Sequence, residues 1–191
     1  MISEACAQLQ QISGSLNPGN PLYQANYMTR ILLLSDTHGH MDKTILKYAR
    51  MADEIWHAGD IGSFEVTDQL EKANNVKAVY GNIDNAVIQQ EFPLDQKFSC
   101  EDVSVWMTHI GGYPDRYNRR IREQIKANPP DLFISGHSHI LKVQWDKKLN
   151  LLHMNPGACG KQGFHQLRTM LRFVIDGKDI KDLEVIELGK R

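Results

Sequence analysis

Short apolar runs, each followed by Gly, Asp, Asn or His, recur along the chain from residue 31 onward. Runs of β-branched and aliphatic residues that are bounded by turn-forming residues predict buried β-strands. The five runs of this type span residues 31–34, 54–56, 76–80, 103–107 and 131–134.

Apolar residues at helical spacing fill the segments between these runs, and each set forms one apolar stripe, which predicts an amphipathic helix. The third helix must end before Pro129 and Pro130, because proline lacks an N–H and restricts the residue that precedes it. Alternating strands and helices predict a parallel or mixed sheet with right-handed crossovers. The stripes are Met41, Ile45, Tyr48, Ala49 and Ala52; Val66, Leu70 and Ala73; and Tyr117, Ile121 and Ile125.

The last third of the chain has strand-like runs that follow one another without helical segments between them. These runs span residues 141–145, 149–154, 169–175 and 183–188, with turn residues at 146–148 and 176–178. Successive strands joined by short turns predict a meander. We expect this meander to form a second sheet that packs on the first.

The composition is that of an ordinary globular protein, with 41% hydrophobic and 24% charged residues among 191. A net charge of −1 lacks the basic excess that stable binding of duplex nucleic acid uses. Three cysteines without C-x-x-C spacing argue against a disulfide framework or a cysteine zinc site. No apolar run reaches the ~18 residues of a membrane span, and no secretory leader is evident, so we expect a cytoplasmic protein without membrane association.

Residues 1–27 differ from the rest of the chain, because they are rich in Gln, Asn, Ser and Gly and contain Pro18 and Pro21. We expect them to be an N-terminal extension that activity does not require, since chain termini are often weakly held. The alternative is an ordered arm that packs on a neighbouring molecule. Residues 28–191 are then expected to form a single domain.

Polar residues with metal-binding side chains follow five of the predicted strands. In an open α/β sheet the carboxyl ends of the strands border one crevice, where ligands bind. Asp36 and His38 are two residues apart, and so are His137 and His139. In an extended backbone the two side chains of each such pair point to the same side. The candidates are Asp36, His38, Asp60, Asn82, His109, His137 and His139.

Carboxylate, imidazole and amide ligands without thiolate suit Mn²⁺, Fe²⁺, Zn²⁺, Ni²⁺ or Mg²⁺. Seven ligands are too many for one catalytic ion that must keep an open position. They suit two ions about 3.5–4 Å apart that share a carboxylate. Asp60 is the natural bridging residue, because it stands alone in the middle of the series.

For the other histidines we expect structural or exposed positions rather than a place among the metal ligands. His57 and His153 lie within predicted strands, so we expect them in the core or the wall of the site. His40 and His165 follow no strand directly, and the default for both is an exposed or structural role.

The motif series resembles that of the calcineurin-like metallophosphoesterases. It also resembles, within that superfamily, the small bacterial and archaeal phosphodiesterase branch, which is related in fold to the retromer scaffold subunit. The resemblance covers the chain from about Thr29 onward. It is carried by Asp36-x-His38, Gly59-Asp60, Gly81-Asn82-x-Asp84, His109, Gly136-His137-x-His139 and Asn155-Pro156-Gly157.

This resemblance implies an α/β fold of two packed mixed β-sheets flanked by helices, in four α-β-β-α layers. It also implies hydrolysis of phosphodiesters by a dinuclear metal centre with a bridging hydroxide as the nucleophile. The catalytic residues implied are Asp36, Asp60, Asn82 and His109, acting through the metal-bound hydroxide. One ion would be held by Asp36, His38, Asp60 and His139, and the other by Asp60, Asn82, His109 and His137.

Two positions depart from the pattern of the family. Ile83 stands where many members have a histidine thought to protonate the leaving group, so that Asp84 lacks the ring it would orient. Loss of a general acid typically costs 10²–10⁴-fold in rate, which favours activated leaving groups, another acid, or stabilisation of the leaving oxygen by metal or solvent. The segment after His109 also differs from the commoner His-Gly-His, so we expect a different loop there.

Arg116 lies nearest to His109 among several arginines and is a candidate phosphate contact, whereas Arg119, Arg122 and Lys126 have the spacing of a solvated helix face.

We expect two divalent ions, with manganese favoured over nickel, iron, zinc or magnesium. The expected substrate is a small phosphodiester such as a nucleotide derivative. The alternative functions are a phosphomonoesterase with the same site and a non-catalytic binding scaffold. The sequence leaves open whether the chain forms a homo-oligomer.

Overall fold

The apolar runs of the sequence lie in two five-stranded mixed sheets that pack face to face. The computed structural model describes residues 28–191, so the expectation for residues 1–27 lies outside the described residues. The helices are α1 (Lys43–Ala49), α2 (Phe64–Glu71), α3 (Ala86–Glu91) and α4 (Arg122–Ala127). The strands are β1 (Thr29–Leu34), β2 (Glu54–His57), β3 (Asn75–Ala78), β4 (Asp95–Cys100), β5 (Val103–Thr108), β6 (Gly112–Tyr113), β7 (Arg116–Tyr117), β8 (Leu132–Ile134), β9 (Leu141–Asp146), β10 (Leu151–Pro156), β11 (Leu167–Asp176) and β12 (Asp179–Lys190).

The first sheet has the strand order β12-β11-β1-β2-β3. Strands β1, β2 and β3 are parallel, with Leu33 opposite Trp56 and Ile55 opposite Val76. Strand β11 pairs antiparallel with β1 and places Phe173 opposite Ile31. The parallel strands all end at one edge, and the polar loops that follow them meet there.

The second sheet has the order β4-β5-β8-β10-β9, in which β5, β8 and β10 are parallel. The predicted meander is therefore wrong, because β9 and β10 belong to this sheet whereas β11 and β12 belong to the first. The physical reason is that β11 buries Leu171, Phe173 and Ile175 in the same inter-sheet core as Ile31. Its other face buries Met170 among Leu32 and Leu34, so β11 is buried on both faces and lies inside the first sheet beside β1.

Strand β1 is buried on both of its faces, which explains why its sequence is continuously apolar. Ile31 and Leu33 point into the core between the sheets, together with Trp56. Leu32 and Leu34 point to the opposite side, where α1 and α2 pack with Ile45, Ala49, Val66 and Leu70. Each such side chain contributes about 1.5–3 kcal/mol to stability when fully buried.

The outer face of the second sheet is covered by α4. Ile121 and Ile125 pack there against Trp106, Phe133 and Leu151. The layers therefore run helix, sheet, sheet, helix, which confirms the predicted fold class. None of the helices within residues 28–191 is long and apolar enough to cross a membrane.

Local sequence signals account for the ends of the helices. The carboxylate of Asp42 accepts hydrogen bonds from the amides of Thr44 and Ile45 and so caps α1. Helix α4 ends at Ala127, ahead of the two prolines as predicted, but it begins at Arg122, and Tyr117 lies in β7.

Four elements were not predicted from the pattern: α3, β4 and the two-residue strands β6 and β7. Helix α3 has only 6 residues, so it shows little periodicity, although Asn85 caps it by accepting from the amides of Val87 and Ile88. Strand β4 lies at a sheet edge and only Cys100 in it is buried, so its sequence carries little apolar pattern.

Candidate metal centre

The loops that follow β1, β2, β3, β5 and β8 converge at one edge of the two sheets and carry all seven candidate ligands. The first sheet supplies Asp36, His38, Asp60 and Asn82, and the second supplies His109, His137 and His139. The site therefore lies between the sheets and is built from both, rather than at the edge of a single sheet.

Two groups of potential ligand atoms lie here, and within each group the atoms are within 4.8 Å of one another. Asp60 belongs to both groups. Asn82 lines the same cleft as His38 and Asp60. The first group is Asp36, His38, Asp60 and His139, and the second is Asp60, His109 and His137.

The distances place the carboxylate of Asp60 between the two groups. Its Oδ2 lies 3.6 Å from Nε2 of His38, whereas its Oδ1 lies 3.1 Å from Nε2 of His109. On the other side of the first group, Oδ1 of Asp36 lies 3.2 Å from Nε2 of His139. A carboxylate whose two oxygens face two separate groups is suited to bridging two cations.

Among the described residues 28–191, two buried atoms of the cluster have no hydrogen-bond partner, Oδ1 of Asp36 and Nε2 of His109. Buried polar atoms are nearly always satisfied, so each needs an explanation. Nδ1 of His109 lies 2.8 Å from the carbonyl oxygen of Ala58, which can only accept, and this contact assigns the ring proton to Nδ1. Nε2 then presents a lone pair to the cluster. Both orphan atoms are electron-pair donors, so the residues fit a divalent cation.

The charges of the cluster also favour a cation. Burial opposes ionisation of Asp60, but His109 and the Ile83 amide outweigh it and hold the pKa of Asp60 below its usual value. Burial likewise opposes charging of His109, but Asp60 and Asp36 outweigh it and raise the pKa of His109. Burial and the neighbouring His109 lower the pKa of His137. The lowered pKa of Asp60 favours its ionised form, and the lowered pKa of His137 favours its neutral ring, and both of these forms can donate an electron pair to a cation.

Five of the candidate ligands have a positive φ angle, in the left-handed region that non-glycine residues rarely adopt. Such conformations cost roughly 1–3 kcal/mol each and tend to occur at functional sites, where surrounding contacts impose them. The residues and angles are Asp36 (55°), His38 (49°), Asp60 (54°), His137 (66°) and His139 (56°).

Backbone hydrogen bonds between the loops hold these conformations. The amides of Asp36 and His38 donate to the carbonyls of Gly59 and Asp60, at 2.9 and 3.0 Å. The amide of His137 donates to Oδ2 of Asp36 at 3.2 Å and so joins the two sheets at the site. The ligand positions are therefore set by loop-to-loop contacts as well as by side chains.

Gly59 and Gly81 are among the glycines that close approach to the cluster requires. A Cβ atom at Gly59 would lie 2.6 Å from Nδ1 of His109, and Gly59 also has a φ of +94°. A Cβ atom at Gly81 would collide with Oδ1 of Asp60. Any larger residue at either position would displace a candidate ligand.

Asp84 has a different role from the one the sequence suggested. Its carboxylate is buried and accepts hydrogen bonds from the amides of Gly62 and Gly81, both at 2.7 Å, and of Ile61 at 3.1 Å. Both oxygens are therefore occupied by backbone donors. Asp84 ties together the loops that carry Asp60 and Asn82, instead of standing ready to orient a side chain at position 83.

The other residues that the sequence singled out lie outside the two ligand groups. His57 and His153 are buried, which confirms their predicted place in the core. His40 lies 3.3 Å from the carboxylate of Asp42, outside both ligand groups. Arg116 is an exposed residue of β7 and lines a second cleft, which shares His137 with the cleft lined by His38 and Asp60.

One residue of the site was missed by the sequence reasoning. Nδ1 of His165 lies 3.2 Å from Nδ1 of His139, although His165 follows no strand end and belongs to no recognised motif. A histidine in the glycine-containing loop after Asn155-Pro156-Gly157 was the only signal for it.

Comparison with known proteins agrees with this geometry. Residues 29–178 match the calcineurin-like phosphoesterase superfamily domain. A protein of Methanothermobacter thermautotrophicus described as a probable metallophosphoesterase is 28% identical over 162 residues, which cover 82% of this chain and 91% of that protein.

Solved structures share the fold. A novel archaeal phosphodiesterase superposes with a TM-score of 0.63 at 23% identity, over 83% of this chain and 99% of the other. Wild-type Vps29 from Entamoeba histolytica complexed with Zn²⁺ superposes with a TM-score of 0.64 at 15% identity, over 84% and 98% of the two chains. From the match over residues 29–178, this chain belongs to the calcineurin-like phosphoesterase superfamily.

Proposed function

We propose that the protein is a metal-dependent phosphodiesterase with a dinuclear centre. The observation that carries this proposal is the pair of ligand groups that share Asp60. One ion would be held by Asp36, His38, Asp60 and His139, and the other by Asp60, Asn82, His109 and His137. When bound, two divalent ions supply a water of lowered pKa and positive charge for the phosphoryl oxygens.

The chain's own residues would hold this chemistry in place. Asp60 lies between the two groups and would fix their separation. The carbonyl of Ala58 orients the ring of His109 by accepting from Nδ1, so that Nε2 faces the cluster. The hydrogen bond from the His137 amide to Asp36 sets the distance between the loops of the two sheets.

The lining of the cleft favours a diester over a monoester. The cleft has a volume of about 450 Å³, and among its lining residues in the described part of the chain there is no lysine or arginine. A phosphomonoester dianion needs more positive charge than a diester monoanion. The exposed Ile83, Ile140 and Phe164 on the same cleft would instead contact an apolar ester group. A phosphomonoesterase with this site is the alternative that the experiment below separates.

A leaving group that departs without protonation fits the site best. Ile83 cannot transfer a proton, and Nε2 of His165 faces the carbonyl of Gly160 at 3.1 Å. Aryl esters, or diesters whose leaving oxygen is stabilised by metal or solvent, are therefore the expected substrates.

The test combines metal analysis with hydrolysis of bis(p-nitrophenyl) phosphate and of p-nitrophenyl phosphate. Mn²⁺ is the first metal to supply, followed by Zn²⁺, which the Vps29 structure contains, and then Ni²⁺, Fe²⁺ and Mg²⁺. We expect faster hydrolysis of the diester with two ions bound per chain. Faster hydrolysis of the monoester would favour the alternative, and a metal-free inactive protein would favour a scaffold.

The decisive variant is Asp60→Asn, since a neutral amide bridges two cations poorly. We expect loss of diester hydrolysis and a lower metal content. The matched control is Asp68→Asn, on the exposed face of α2, which should change neither quantity. Near-normal turnover of Asp60→Asn with two ions still bound would contradict the bridging assignment.

A further inference from the structure

We propose that a second cleft beside the metal centre is an anion-binding subsite, formed by Arg116 and Lys142, for a further phosphate group of the substrate. The proposal rests on the proposed function for the reaction itself and adds a class of substrate. That class is phosphodiesters with a second phosphate, such as esters of a nucleoside bisphosphate.

The second cleft is contiguous with the metal cleft. It has a volume of about 300 Å³ and lies between β7, which carries Arg116, and β9, which carries Lys142. His137, Ser138 and Ile140 line both clefts, so that one molecule can extend past His137 from one into the other.

The charge of this cleft is positive and uncompensated. In the part of the chain that the structure describes, no aspartate or glutamate lines this cleft. Within residues 28–191, neither Arg116 nor Lys142 forms a salt bridge, whereas the nearby Arg120 and Lys148 are paired with Asp95 and Asp115. Two cations that line the same cleft match a phosphate dianion, and guanidinium groups bind phosphate oxygens in a bidentate manner.

Two further contacts prepare the cleft for an anion. The ammonium group of Lys142 lies 4.1 Å from the centre of the Tyr113 ring, and this cation–π contact holds it at the cleft wall. Oγ of Ser138 accepts from Nδ2 of Asn155 at 3.1 Å and from the Ile140 amide at 3.3 Å. Because both of these contacts use oxygen lone pairs, the hydroxyl hydrogen is left to donate to a ligand oxygen at the junction of the clefts.

The test is a binding measurement on the Mn²⁺-loaded full chain. Calorimetric titrations compare thymidine 5′-monophosphate with thymidine 3′,5′-bisphosphate. We expect wild type to bind the bisphosphate at least about tenfold more tightly, since the second phosphate can accept charge-assisted hydrogen bonds from both cations. Raising the salt concentration should reduce this preference, because exposed cations are screened.

The variant R116A/K142A should bind the two nucleotides with equal affinity. The matched control R119A/K126A removes the same charge from exposed positions outside both clefts and should keep the preference. Equal binding by wild type, or loss of the preference in the control, would overturn the subsite. Failure to hydrolyse bis(p-nitrophenyl) phosphate with the preference intact would overturn the proposed function alone.

Discussion

His165 fixes the orientation of the His139 ring through a hydrogen bond between their Nδ1 atoms, 3.2 Å apart. Nε2 of His165 lies 3.1 Å from the carbonyl oxygen of Gly160, which can only accept, so the His165 proton is assigned to Nε2. Nδ1 of His165 is then an acceptor, and His139 must donate from its own Nδ1. The lone pair of His139 Nε2 consequently faces Asp36, at 3.2 Å from Oδ1.

Removal of this acceptor should weaken metal binding. In His165→Phe the ring volume stays but the acceptor is lost, so His139 is free to rotate or change its tautomer. We expect metal affinity to fall about 10–100-fold, the usual effect of losing a group that orients a ligand. The measurement is competition for Mn²⁺ and Zn²⁺ against a chelator of known affinity.

The conservative variant His165→Asn separates orientation from packing. The amide oxygen of asparagine can occupy the place of Nδ1 and accept from His139, so this variant should retain most of the affinity. Equal losses in His165→Phe and His165→Asn would show that the packing of the ring matters and the hydrogen bond does not.

Asp84 should be important for stability and for the metal site together. In Asp84→Asn one carboxylate oxygen becomes an NH₂ group that faces backbone N–H donors, so at least one buried amide loses its partner. Such a loss costs about 1–3 kcal/mol. Urea unfolding of the chelator-treated protein should show this decrease, and the metal affinity should fall because the loops bearing Asp60 and Asn82 are no longer tied together.

The exposed turn residue Asp102 offers a control for the loss of a negative charge. Asp102→Asn should unfold at the same urea concentration as wild type. An unchanged unfolding midpoint in Asp84→Asn would show that the three amides find other partners.

The buried His153 should make the protein less stable in acid. Burial, with Lys142 nearby, lowers the pKa of His153 to about 4 from a usual value of 6.5. Between these values the unfolded chain takes up a proton that the folded chain does not, so the free energy of unfolding decreases as the pH falls from about 6.5 to 4. At pH 5 this proton uptake by one histidine lowers the free energy of unfolding by roughly 2 kcal/mol relative to neutral pH.

His153→Gln removes this titration while keeping a donor for Oγ of Ser135, which lies 3.0 Å from Nε2 of His153. Urea unfolding at pH 7 and pH 5, in the presence of a chelator, should show a smaller acid-induced loss in the variant. His57, whose pKa burial also lowers to about 4, keeps the remaining loss measurable in both proteins. Parallel losses in wild type and variant would refute the assignment to His153.

That the candidate ligands lie near one another could be predicted from the sequence, because each one lies in the loop that follows a buried strand, whereas their role as metal ligands stays a prediction. An apolar run such as Ile31–Leu34 has few structural solutions, and its polar successors must emerge at the end of the strand. The positive φ angles of Asp36 and Asp60 have no such signature, since they depend on hydrogen bonds between loops.

The partners of the strands were harder to predict. Periodicity shows that β11 has an apolar face, but not that Phe173 pairs with Ile31, which lies far away in the sequence. His165 and Asp84 were misjudged for the same reason, because their roles come from contacts with His139 and with three backbone amides in other loops.

The position of Ile83 bears on how a leaving group is protonated. Its side chain is 44% exposed and lines the metal cleft beside Asn82 and Phe164. A histidine there would meet no tightly packed core, so overpacking is not expected. However, the carboxylate of Asp84 is occupied by backbone amides and would not orient the new ring.

Ile83→His should therefore accelerate hydrolysis of esters with poor leaving groups, but by less than the 10²–10⁴-fold that a well-placed general acid provides. The measurement is the ratio of kcat/KM for the methyl and p-nitrophenyl esters of thymidine 5′-phosphate, at equal Mn²⁺ occupancy. The ratio should rise in Ile83→His, because methoxide needs a proton and nitrophenolate does not. Ile83→Phe supplies a ring without a proton and should leave the ratio unchanged. An equal rise in both variants would attribute the effect to stacking in the cleft, and no rise in a fully metallated Ile83→His would mean that position 83 does not reach the leaving oxygen.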